Sequence, residues 1–542
     1  MSNAIPRFAL PAPPSGGALA LLLAIYLLVG TTGHLPWRGD DLTYLGPIHS
    51  ILTRGTWLMP EIAGEAFHDY PPLYYWVGAI LAKLLGGLLP IHDAARLASS
   101  VFTAAFLYWT ALAARRLYGE EAFAPAILLG VGSLGLVVHA HETQPMLAEL
   151  AGMAICFAGL GNFPRSPVRG GIEAGIGSGL AFLAGGLPGA LLTLPVLPLA
   201  PLLCPSCRNR QAFFGIGLGL AAAALIAGTW IATLFLLAPA ELAPWWQAEV
   251  DALLAGDFMI ADLGKFLQLL GWFAWPLWPI AAWAVWRNLH ALTTPPLALP
   301  LIASLIAVLL VGATGNLRPA NILPILPPLA LLAAYGVTSL RRGAANAFDW
   351  FGIMAFAFFA LLVWLGWSAL NFGWPPGLAR QVAKIAPDFP RGSLLWGALI
   401  GGFLSLAMVT LPMLTRRTPM RGASNWALGM TLLWCIAVTL WQPWFAHTKN
   451  YQPVAAELHF ALSNHPANCI ARKGLGDTQR AALDYFADIR TQPYQKAGEC
   501  KLLLTYATGS KLQKVRGEGE LVWERRLGGG RKTETFRLYR RD

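Results

Sequence analysis

The sequence predicts a polytopic α-helical membrane protein with a small α/β domain at its C-terminal end. Of its 542 residues, 56% are hydrophobic and only 12% are charged, whereas a soluble domain averages about 25% charged residues. Apolar runs of about 18 residues or more recur, and each is long enough to cross a membrane as a helix. The composition becomes polar after His447. We therefore expect about thirteen membrane spans in residues 1–447 and an extracytoplasmic soluble domain in residues 448–542.

The net charge of +11 does not indicate a nucleic-acid-binding protein. The polar tail holds 17 basic and 10 acidic residues, and the membrane part holds the other 22 and 18. Basic residues of the membrane part lie in short clusters between apolar runs, which is a signal of topology. The first apolar run, residues 17–35, lacks a recognisable cleavage site, so we interpret it as an uncleaved first span.

Arginines and acids alternate between successive loops. By the positive-inside rule, the arginine loops are cytoplasmic and the acid-rich loops face outward. This alternation predicts a cytoplasmic N-terminus and an extracytoplasmic tail. The arginine loops contain Arg115 and Arg116, Arg165 and Arg169, Arg208 and Arg210, Arg287, Arg341 and Arg342, and Arg416, Arg417 and Arg421.

Residues 71–90 are about long enough to span a membrane, but we expect them to lie on its outer face. If they crossed, every later arginine cluster would lie outside, and Lys83 would cost roughly 2.5–3.5 kcal/mol at the bilayer centre. We predict an interfacial helix pair that is broken near Gly86 and Gly87. Outward juxtamembrane helices would then occupy residues 37–92, and the second span would begin near Asp93.

Periodicity and turn residues in the tail predict two helices and four strands. The helices are expected at 451–464 and 477–489, and the strands at 469–471, 501–506, 520–524 and 533–539. Cys469 and Cys500 each open a predicted strand. Because the tail faces an oxidising compartment in this topology, we expect these two residues to form a disulfide, with two free thiols as the alternative.

The first outward loop holds two adjacent carboxylates, Asp40 and Asp41, at the exit of a membrane span. Such a pair suits metal binding, recognition of a hydroxyl or amine, or general-base catalysis. A solvated acid pair is the alternative that composition alone favours. Nearby histidines leave a divalent-cation cofactor open, although ligands so far apart in sequence are a weak pattern. These candidate ligands are His68, His139 and His141, with Asp69 and Glu142.

Several motifs occur in an order that is typical of one enzyme family. Residues 37–44 read Trp-x-x-Asp-Asp-x-x-Tyr, and residues 69–76 read Asp-Tyr-Pro-Pro-Leu-Tyr-Tyr-Trp. Further matches are 55–60, 94–97, the glycine motif at 180–189, and Leu-Pro-Ile-Leu-Pro-Pro-Leu-Ala at 323–330. Together they resemble the bacterial polyprenyl-phosphate-sugar-dependent glycosyltransferases of the GT-C fold. That group includes the lipid A aminoarabinose transferase and is related to the protein O-mannosyltransferases. The resemblance extends over residues 17–340.

The resemblance implies a sugar-transfer site at the outer membrane face. Asp41, assisted by Asp40, would orient and deprotonate the acceptor, and a single displacement would invert the anomeric carbon. The family has an aspartate beside a proline in its second outward loop. Here Gln144 precedes Pro145, so Glu142 is expected to take over that role.

The sequence departs from the family at three positively charged positions. The arginine near the acidic pair is Thr43, and two lysines are replaced by Tyr70 and Gly185. The phosphate charge must then be met by other outward cations. Arg318 is our first choice, with a headgroup anchor as its alternative, and aromatic packing is the alternative role of Tyr70. The other expected phosphate-binding residues are Lys265, Arg54 and Tyr70, and the expected sugar or acceptor contacts are His68, Asp69, Asn316 and Asn321.

The resemblance implies an integral-membrane glycosyltransferase of the bacterial inner membrane. Its donor would be a sugar on an undecaprenyl-phosphate-type carrier, and its acceptor lipid A, a glycolipid or an envelope glycan. A protein O-glycosyltransferase and a lipid flippase or transporter are the alternatives. Transporters place ionisable groups near the bilayer midplane, whereas here only Glu149 and Lys83 fall in apolar stretches. The sequence does not specify the sugar, the acceptor, the metal dependence or the oligomeric state.

Overall fold

The structure, a computed structural model, describes residues 16–254, 260–315, 317–386, 389, 395–414, 418, 420–498, 500–509, 519–528 and 533–541. Within these ranges the protein is predominantly helical. The helices are α1 (Gly16–Leu28), α2 (Asp40–Arg54), α3 (Leu73–Leu85), α4 (Ile91–Tyr118), α5 (Phe123–Val131), α6 (Leu136–His139), α7 (Met146–Asn162), α8 (Pro167–Thr193), α9 (Val196–Leu203), α10 (Arg210–Leu237), α11 (Pro239–Leu254), α12 (Ile260–Phe273), α13 (Leu277–Arg287), α14 (Pro295–Ala313), α15 (Leu326–Val337), α16 (Arg342–Phe372), α17 (Pro376–Ile385), α18 (Leu395–Leu414), α19 (Arg421–Thr448), α20 (Gln452–Asn464) and α21 (Asp477–Ala487). The strands are β1 (Glu61–Ile62), β2 (Glu65–Ala66), β3 (Ile470–Lys473), β4 (Gln492–Pro493), β5 (Leu502–Thr508), β6 (Glu520–Leu527) and β7 (Glu534–Arg540).

Among the described residues, eight helices are long and apolar enough to cross a membrane, or nine if α12 and α13 form one span. These two helices meet at 94°. Three further helices, α1, α3 and α7, are apolar but shorter, with 13, 13 and 17 residues. The chain is therefore a multi-span helical membrane protein, as its sequence predicts. The number of thirteen spans stays a prediction.

Residues 71–90 form one helix rather than the predicted pair. Because α3 has 13 residues, it is about 20 Å long and shorter than the roughly 30 Å hydrocarbon core. It ends before Gly86, and α4 already begins at Ile91. The few residues between them make a turn and are too short for a second helix. The placement of α3 on the outer membrane face stays a prediction.

Glycines allow α7, α8 and α10 to pack closely. A Cβ atom at Gly152 of α7 would lie 2.5 Å from the backbone nitrogen of Ala181 in α8. A Cβ atom at Gly175 of α8 would clash with the backbone of Gly219 in α10. Small residues let membrane helices approach in this way. Near these contacts α8 is broken at Gly186, whose φ of 64° favours glycine.

The tail folds into a five-stranded sheet of order β4-β3-β5-β7-β6, on which α20 and α21 pack. β3 pairs in parallel with β4 and β5, and β7 pairs antiparallel with β5 and β6. The predicted tail helices and strands are present with shifted bounds, and the two-residue β4 is an addition. Cys469 and Cys500 form a disulfide with their Cα atoms 5.1 Å apart, which is the pairing expected from the sequence.

Ion pairs join the tail to the segment that contains α2 and β2. Arg54 at the end of α2 lies 2.9 Å from Asp484 of α21. Glu65 of β2 lies 2.6 Å from Arg472 and 3.0 Å from Arg480. Apolar residues of both regions also share one buried cluster. The tail and the α2–β2 segment therefore lie on the same side of the membrane helices.

Candidate active site

A cavity of about 320 Å³ lies where α2, α7, α8, α11 and α14 converge. Four carboxylates from four separate parts of the chain line it, together with one guanidinium. Two of these carboxylates lie near the start of α2 and in the loop before α3, and the other two lie on α7 and α11. The polar lining residues are Asp40, Tyr44, His68, Asp69, Tyr70, Glu149, Glu249, Thr314, Arg318 and Asn321.

The adjacent carboxylates of the first outward loop point in different directions. α2 begins at Asp40, and consecutive helical residues are separated by about 100° around the axis. Asp40 lines the cavity and accepts a long hydrogen bond of 3.4 Å from Gln144 Nε2. Asp41 is only 1% exposed and does not line the cavity. Of the two, Asp40 is the one placed to touch a substrate there.

Asp41 is saturated by hydrogen bonds. Its Oδ1 accepts from Arg96 Nε at 3.1 Å and from the amide and hydroxyl of Thr143 at 2.8 and 2.7 Å. Its Oδ2 accepts from Arg96 Nη2 at 3.0 Å and from the amide of Trp37 at 2.9 Å. Burial acts to raise the pKa of Asp41, but the Arg96 guanidinium and these hydrogen bonds hold it well below its usual range. Because such a carboxylate is a weak base, the structure does not support the predicted role of Asp41 as the catalytic base.

Arg96 of α4 connects Asp41 to several parts of the fold. The guanidinium is fully buried, and it also donates to Asp93 at 3.0 Å and to the carbonyl of Thr31 at 2.9 Å. Through Asp41 it reaches the start of α2 and the loop that contains Thr143. This cluster therefore fixes the loop geometry around the cavity without contributing to its wall.

Glu142 does not line the cavity either. It is buried beside His139, with which it forms a pair, and its carbonyl accepts from Ser99 Oγ at 2.6 Å. The next residue, Thr143, is the one that binds Asp41. The structure therefore does not place Glu142 at the catalytic centre, where the sequence predicted it, but in the loop that supports Asp41.

Two of the four predicted phosphate-binding residues, Arg318 and Tyr70, line the cavity. Lys265 is exposed on α12 and is not part of its wall. Arg54 is engaged elsewhere, because it pairs with Asp484 of the tail. A phosphate in the cavity would therefore meet Arg318 rather than Lys265 or Arg54.

The predicted sugar or acceptor contacts come together in part. His68, Asp69 and Asn321 all line the cavity. His68 Nε2 also lies 3.4 Å from Glu241 Oε2, which ties the loop before α3 to α11. Asn316 lies outside the described residues.

Two buried glutamates in the cavity wall were not among the predicted site residues. Glu149 of α7 and Glu249 of α11 are 2% and 4% exposed. Glu149 stands against Gly185 and Glu249 against Gly186, and Glu249 accepts from the amide of Leu187 at 2.8 Å. Burial raises the pKa of Glu249 to about 7. The sequence signal for Glu149 was an acid within an apolar run, whereas Glu249 resembled the other outward acids.

The ligands suggested by the sequence for a divalent cation do not come together. His139 and Glu142 form their own pair, and His141 bonds to backbone carbonyls, whereas His68 lines the cavity. In the described parts of the chain, no group of three or more His, Cys, Asp and Glu side chains is arranged to hold a metal ion.

Comparison with known proteins gives relatives in sequence and in structure. No protein-family profile matches the chain. It is similar to proteins named undecaprenyl phosphate-alpha-4-amino-4-deoxy-L-arabinose arabinosyl transferase. The protein of that name from Edwardsiella ictaluri is 28% identical over 225 residues, and the match spans 39% of each chain. Its counterpart from Yersinia enterocolitica is 24% identical over 416 residues, or 72% of each chain.

The fold matches that of ArnT from Cupriavidus metallidurans. The apo crystal structure gives a TM-score of 0.69 at 16% identity and covers 96% of this chain and 98% of that chain. The crystal structure bound to undecaprenyl phosphate gives a TM-score of 0.68 and covers 97% and 98%. The chain therefore has the GT-C fold of ArnT and is related in sequence to the aminoarabinose transferase group, which confirms the resemblance predicted from its motifs.

Proposed function

We propose that the protein is an integral-membrane glycosyltransferase. It moves a sugar from an undecaprenyl-phosphate-type carrier to lipid A, another glycolipid or an envelope glycan at the outer face of the inner membrane. The observation that carries this proposal is the cavity in which the Asp40 carboxylate and the Arg318 guanidinium share one space. Sugar transfer needs a base for the acceptor and positive charge for the phosphate. The names of the relatives and the undecaprenyl phosphate bound to ArnT support the donor class.

In the proposed reaction, the acceptor hydroxyl oxygen attacks the anomeric carbon as the bond from that carbon to the phosphate oxygen breaks. The hydroxyl proton passes to the Asp40 carboxylate, and the polyprenyl phosphate leaves with the electron pair of the broken bond. Arg318 stabilises the charge that develops on the phosphate. A single displacement of this kind inverts the configuration of the anomeric carbon.

Asp41 and Arg96 serve this reaction as positioning residues. Asp41 binds the amide of Trp37, three residues before Asp40, and the amide of Thr143. Gln144 follows Thr143 and donates to Asp40. The buried pair therefore fixes both the start of α2 and the loop that contacts the proposed base.

The proposal also divides the chain into two domains and gives its orientation in the membrane. Residues 1–447 form the catalytic membrane domain, residues 448–542 form a periplasmic domain, and the N-terminus is cytoplasmic. The alternation of arginine loops and acid loops supports this orientation. The ion pairs of Arg54 and Glu65 with the tail also support it, because they place the tail beside the segment that begins with Asp40.

The test is sugar transfer by the purified full-length protein in lipid vesicles. Undecaprenyl-phosphate-linked aminoarabinose and lipid A are supplied, and mass spectrometry measures the addition of the sugar. The wild type is expected to modify lipid A, and Asp40→Asn is expected to lose this activity. Glu61→Gln is the matched control, because Glu61 lies on the same outward segment but does not line the cavity.

Envelope lipids, glycans and proteins from cells with and without the gene extend this test to other acceptors. A sugar added to protein would replace the proposed acceptor with a protein. Movement of the donor across the membrane without any transfer would contradict the proposal and identify a flippase.

A further inference from the structure

A second cavity, of about 130 Å³, lies beside the C-terminal half of α19 and shares no lining residue with the cavity of Asp40. Its walls include Trp37, Val138 of α6 and α19 residues from Trp434 to Phe445, and Lys449 lies at its end. Val138 is 46% exposed and Lys449 is exposed. The cavity is therefore a groove that opens to the surroundings of the protein, and we call it the α19 groove.

The α19 groove is long and narrow. From Trp434 to Phe445 its α19 residues lie at positions 434, 437, 438, 442 and 445, a spacing that places them on one face of the helix. From Trp434 to Lys449, which follows the end of α19, the groove extends about 22 Å along the helix axis. This is the shape of a site for an extended chain.

The two ends of the α19 groove differ in polarity. Val138 and Val438 belong to the inner part, which is apolar. At the outer end, the Lys449 ammonium lies 5.7 Å from the centre of the Trp37 ring and 5.4 Å from that of Phe445. The two rings hold the cation at the mouth of the groove, where it is exposed to an approaching anion.

In the proposed orientation, the α19 groove crosses the outer boundary of the hydrocarbon core. α19 has 28 residues, so it is about 42 Å long and extends beyond a core of about 30 Å. Arg421 begins α19 after a cytoplasmic arginine loop, and the tail follows its outer end. Trp434 then lies within the core and Lys449 at the level of the headgroups. Because a small apolar cavity stays dry and takes up apolar molecules, lipid fills the inner part better than water.

We propose that the α19 groove binds an anionic glycerophospholipid of the outer leaflet, with one acyl chain along Trp434 and Val438 and its phosphate beside Lys449. A zwitterionic lipid offers the same chain without net negative charge, so Lys449 favours the anionic lipid. The inference goes beyond sugar transfer and does not depend on it, because the groove is separate from the cavity of Asp40. It uses only the proposed orientation of the chain.

A lipid in the α19 groove would contact the segment that holds the buried aspartate. Trp37 is part of the groove wall, and its amide donates to Asp41 at 2.9 Å. The ring of His34 stacks on Trp37 with 4.5 Å between their centres. Because a ligand that binds only the folded protein stabilises it, phosphatidylglycerol is expected to raise the melting temperature in detergent, and to raise it less in Lys449→Gln.

The first experiment tests the headgroup. Native mass spectrometry measures binding of phosphatidylglycerol, and of phosphatidylcholine with the same chains, to the full-length protein in detergent. The first lipid bound by the wild type is expected to be phosphatidylglycerol, with about fivefold preference, and Lys449→Gln is expected to lose this preference. Lys384→Gln is the matched control, because Lys384 is an exposed lysine of α17 outside the groove. Equal affinity of the wild type for both lipids, or an unchanged preference in Lys449→Gln, would overturn the proposal.

The second experiment tests the position of the acyl chain. Phosphatidylglycerol with a photoreactive group in one chain is cross-linked to the full-length protein, and the labelled peptide is expected to contain residues 434–445. Ala437→Phe narrows the groove and is expected to lower this labelling about tenfold, as the loss of contact with roughly two methylene groups would. Ala357→Phe, at an exposed position of α16, is the matched control. Melting of both variants without added lipid verifies that they are folded. Labelling elsewhere, or equal labelling of both variants, would refute the groove as the site.

Two other lipids are tested as competitors. Undecaprenyl phosphate or lipid A that displaces the cross-linked phospholipid at equal concentration would assign the groove to a substrate of the proposed reaction and overturn the phospholipid. Sugar transfer measured in the same samples separates the two proposals. A protein that binds phosphatidylglycerol in the groove but transfers no sugar would support the lipid site and contradict the transferase.

Discussion

Two acidic regions adjoin the start of α2, and they differ in how their charges are balanced. In one, Asp41 and Asp93 surround the buried guanidinium of Arg96, at distances of 3.0 Å from each. In the other, Asp40 and its neighbours line a cavity and have few partners. The two regions are separated by one step along the helix, from residue 40 to residue 41.

The difference separates carboxylates that build the fold from those available for chemistry. A buried carboxylate with five hydrogen bonds, such as Asp41, has no free lone pair for a substrate and holds its negative charge down to low pH. Asp40 keeps a free face towards the cavity and accepts a single long hydrogen bond from a side chain in the described structure. The pairing of charges, rather than the presence of an acid, thus indicates the reactive region.

The largest expected effect comes from removing the guanidinium of Arg96, which lies between Asp41 and Asp93 in the region where the charges are paired. Arg96→Leu leaves Asp41 and Asp93 buried without a partner, which typically costs about 3–5 kcal/mol. We expect a strong fall in the melting temperature in detergent, or loss of folded protein. Arg318→Leu is the matched control, because Arg318 is exposed at the cavity. It should keep the melting temperature and lose donor binding. A stable Arg96→Leu protein would show that the paired region does not hold the fold.

The next effect separates the two adjacent aspartates. Asp40→Asn removes the proposed base and is expected to lower the rate of sugar transfer by about 10²–10⁴-fold while the melting temperature stays near that of the wild type. Asp41→Asn is expected to lower the melting temperature as well, because it breaks the buried pair with Arg96. Sugar transfer rates measured on the folded fractions of both variants show which aspartate acts in the reaction. Full activity of folded Asp40→Asn would remove Asp40 from the mechanism.

Much of the fold follows from local sequence patterns. The apolar runs, the helices and strands of the tail, and the pairing of Cys469 with Cys500 all depend on composition and short-range periodicity. The sequence did not predict strand β4, because a strand of two residues has no periodic pattern. The segment 71–90 was expected to hold two helices, but the residues after Gly86 are too few for a second one before α4 begins.

The site was predictable only in part, because its geometry depends on distant residues. The motif around Asp40 and Asp41 indicated a loop that borders the cavity, but the direction of Asp41 is set by Arg96, 55 residues further on. The position of Glu249 against the break in α8 at Gly186 could not be predicted, because an acid in an outward loop does not reveal which distant residue it will face. Arg318 lines the cavity together with Pro324 of the motif that it precedes, and its role in phosphate binding stays a prediction.

A smaller effect concerns the pH at which a carboxylate of the cavity wall becomes charged. The pKa of Glu249 is about 7 in the folded protein, above the usual value of about 4.3 in an unfolded chain. Its contribution to stability is therefore present below about pH 4 and is lost as the pH rises through 7.

Thermal melting between pH 5 and 8 measures this trend. Glu249→Gln should reduce the loss of stability over this range, whereas Glu457→Gln, on the surface of the tail, should behave as the wild type. An unchanged profile in Glu249→Gln would mean that another group titrates in this range.

The smallest effect is expected where the acid is paired but partly exposed. Glu65 bonds to Arg472 and Arg480 of the tail, and its side chain is 35% exposed. Water screens such pairs, which contribute about 0–1 kcal/mol each. Glu65→Gln should therefore lower the melting temperature slightly and leave the rate of sugar transfer unchanged, because Asp40 keeps its own support from Gln144. A large loss of transfer in a protein that melts normally would mean that the tail controls the position of α2. Pairing and burial of an acid would then not be enough to distinguish the acids that hold the fold from the acids that act in sugar transfer.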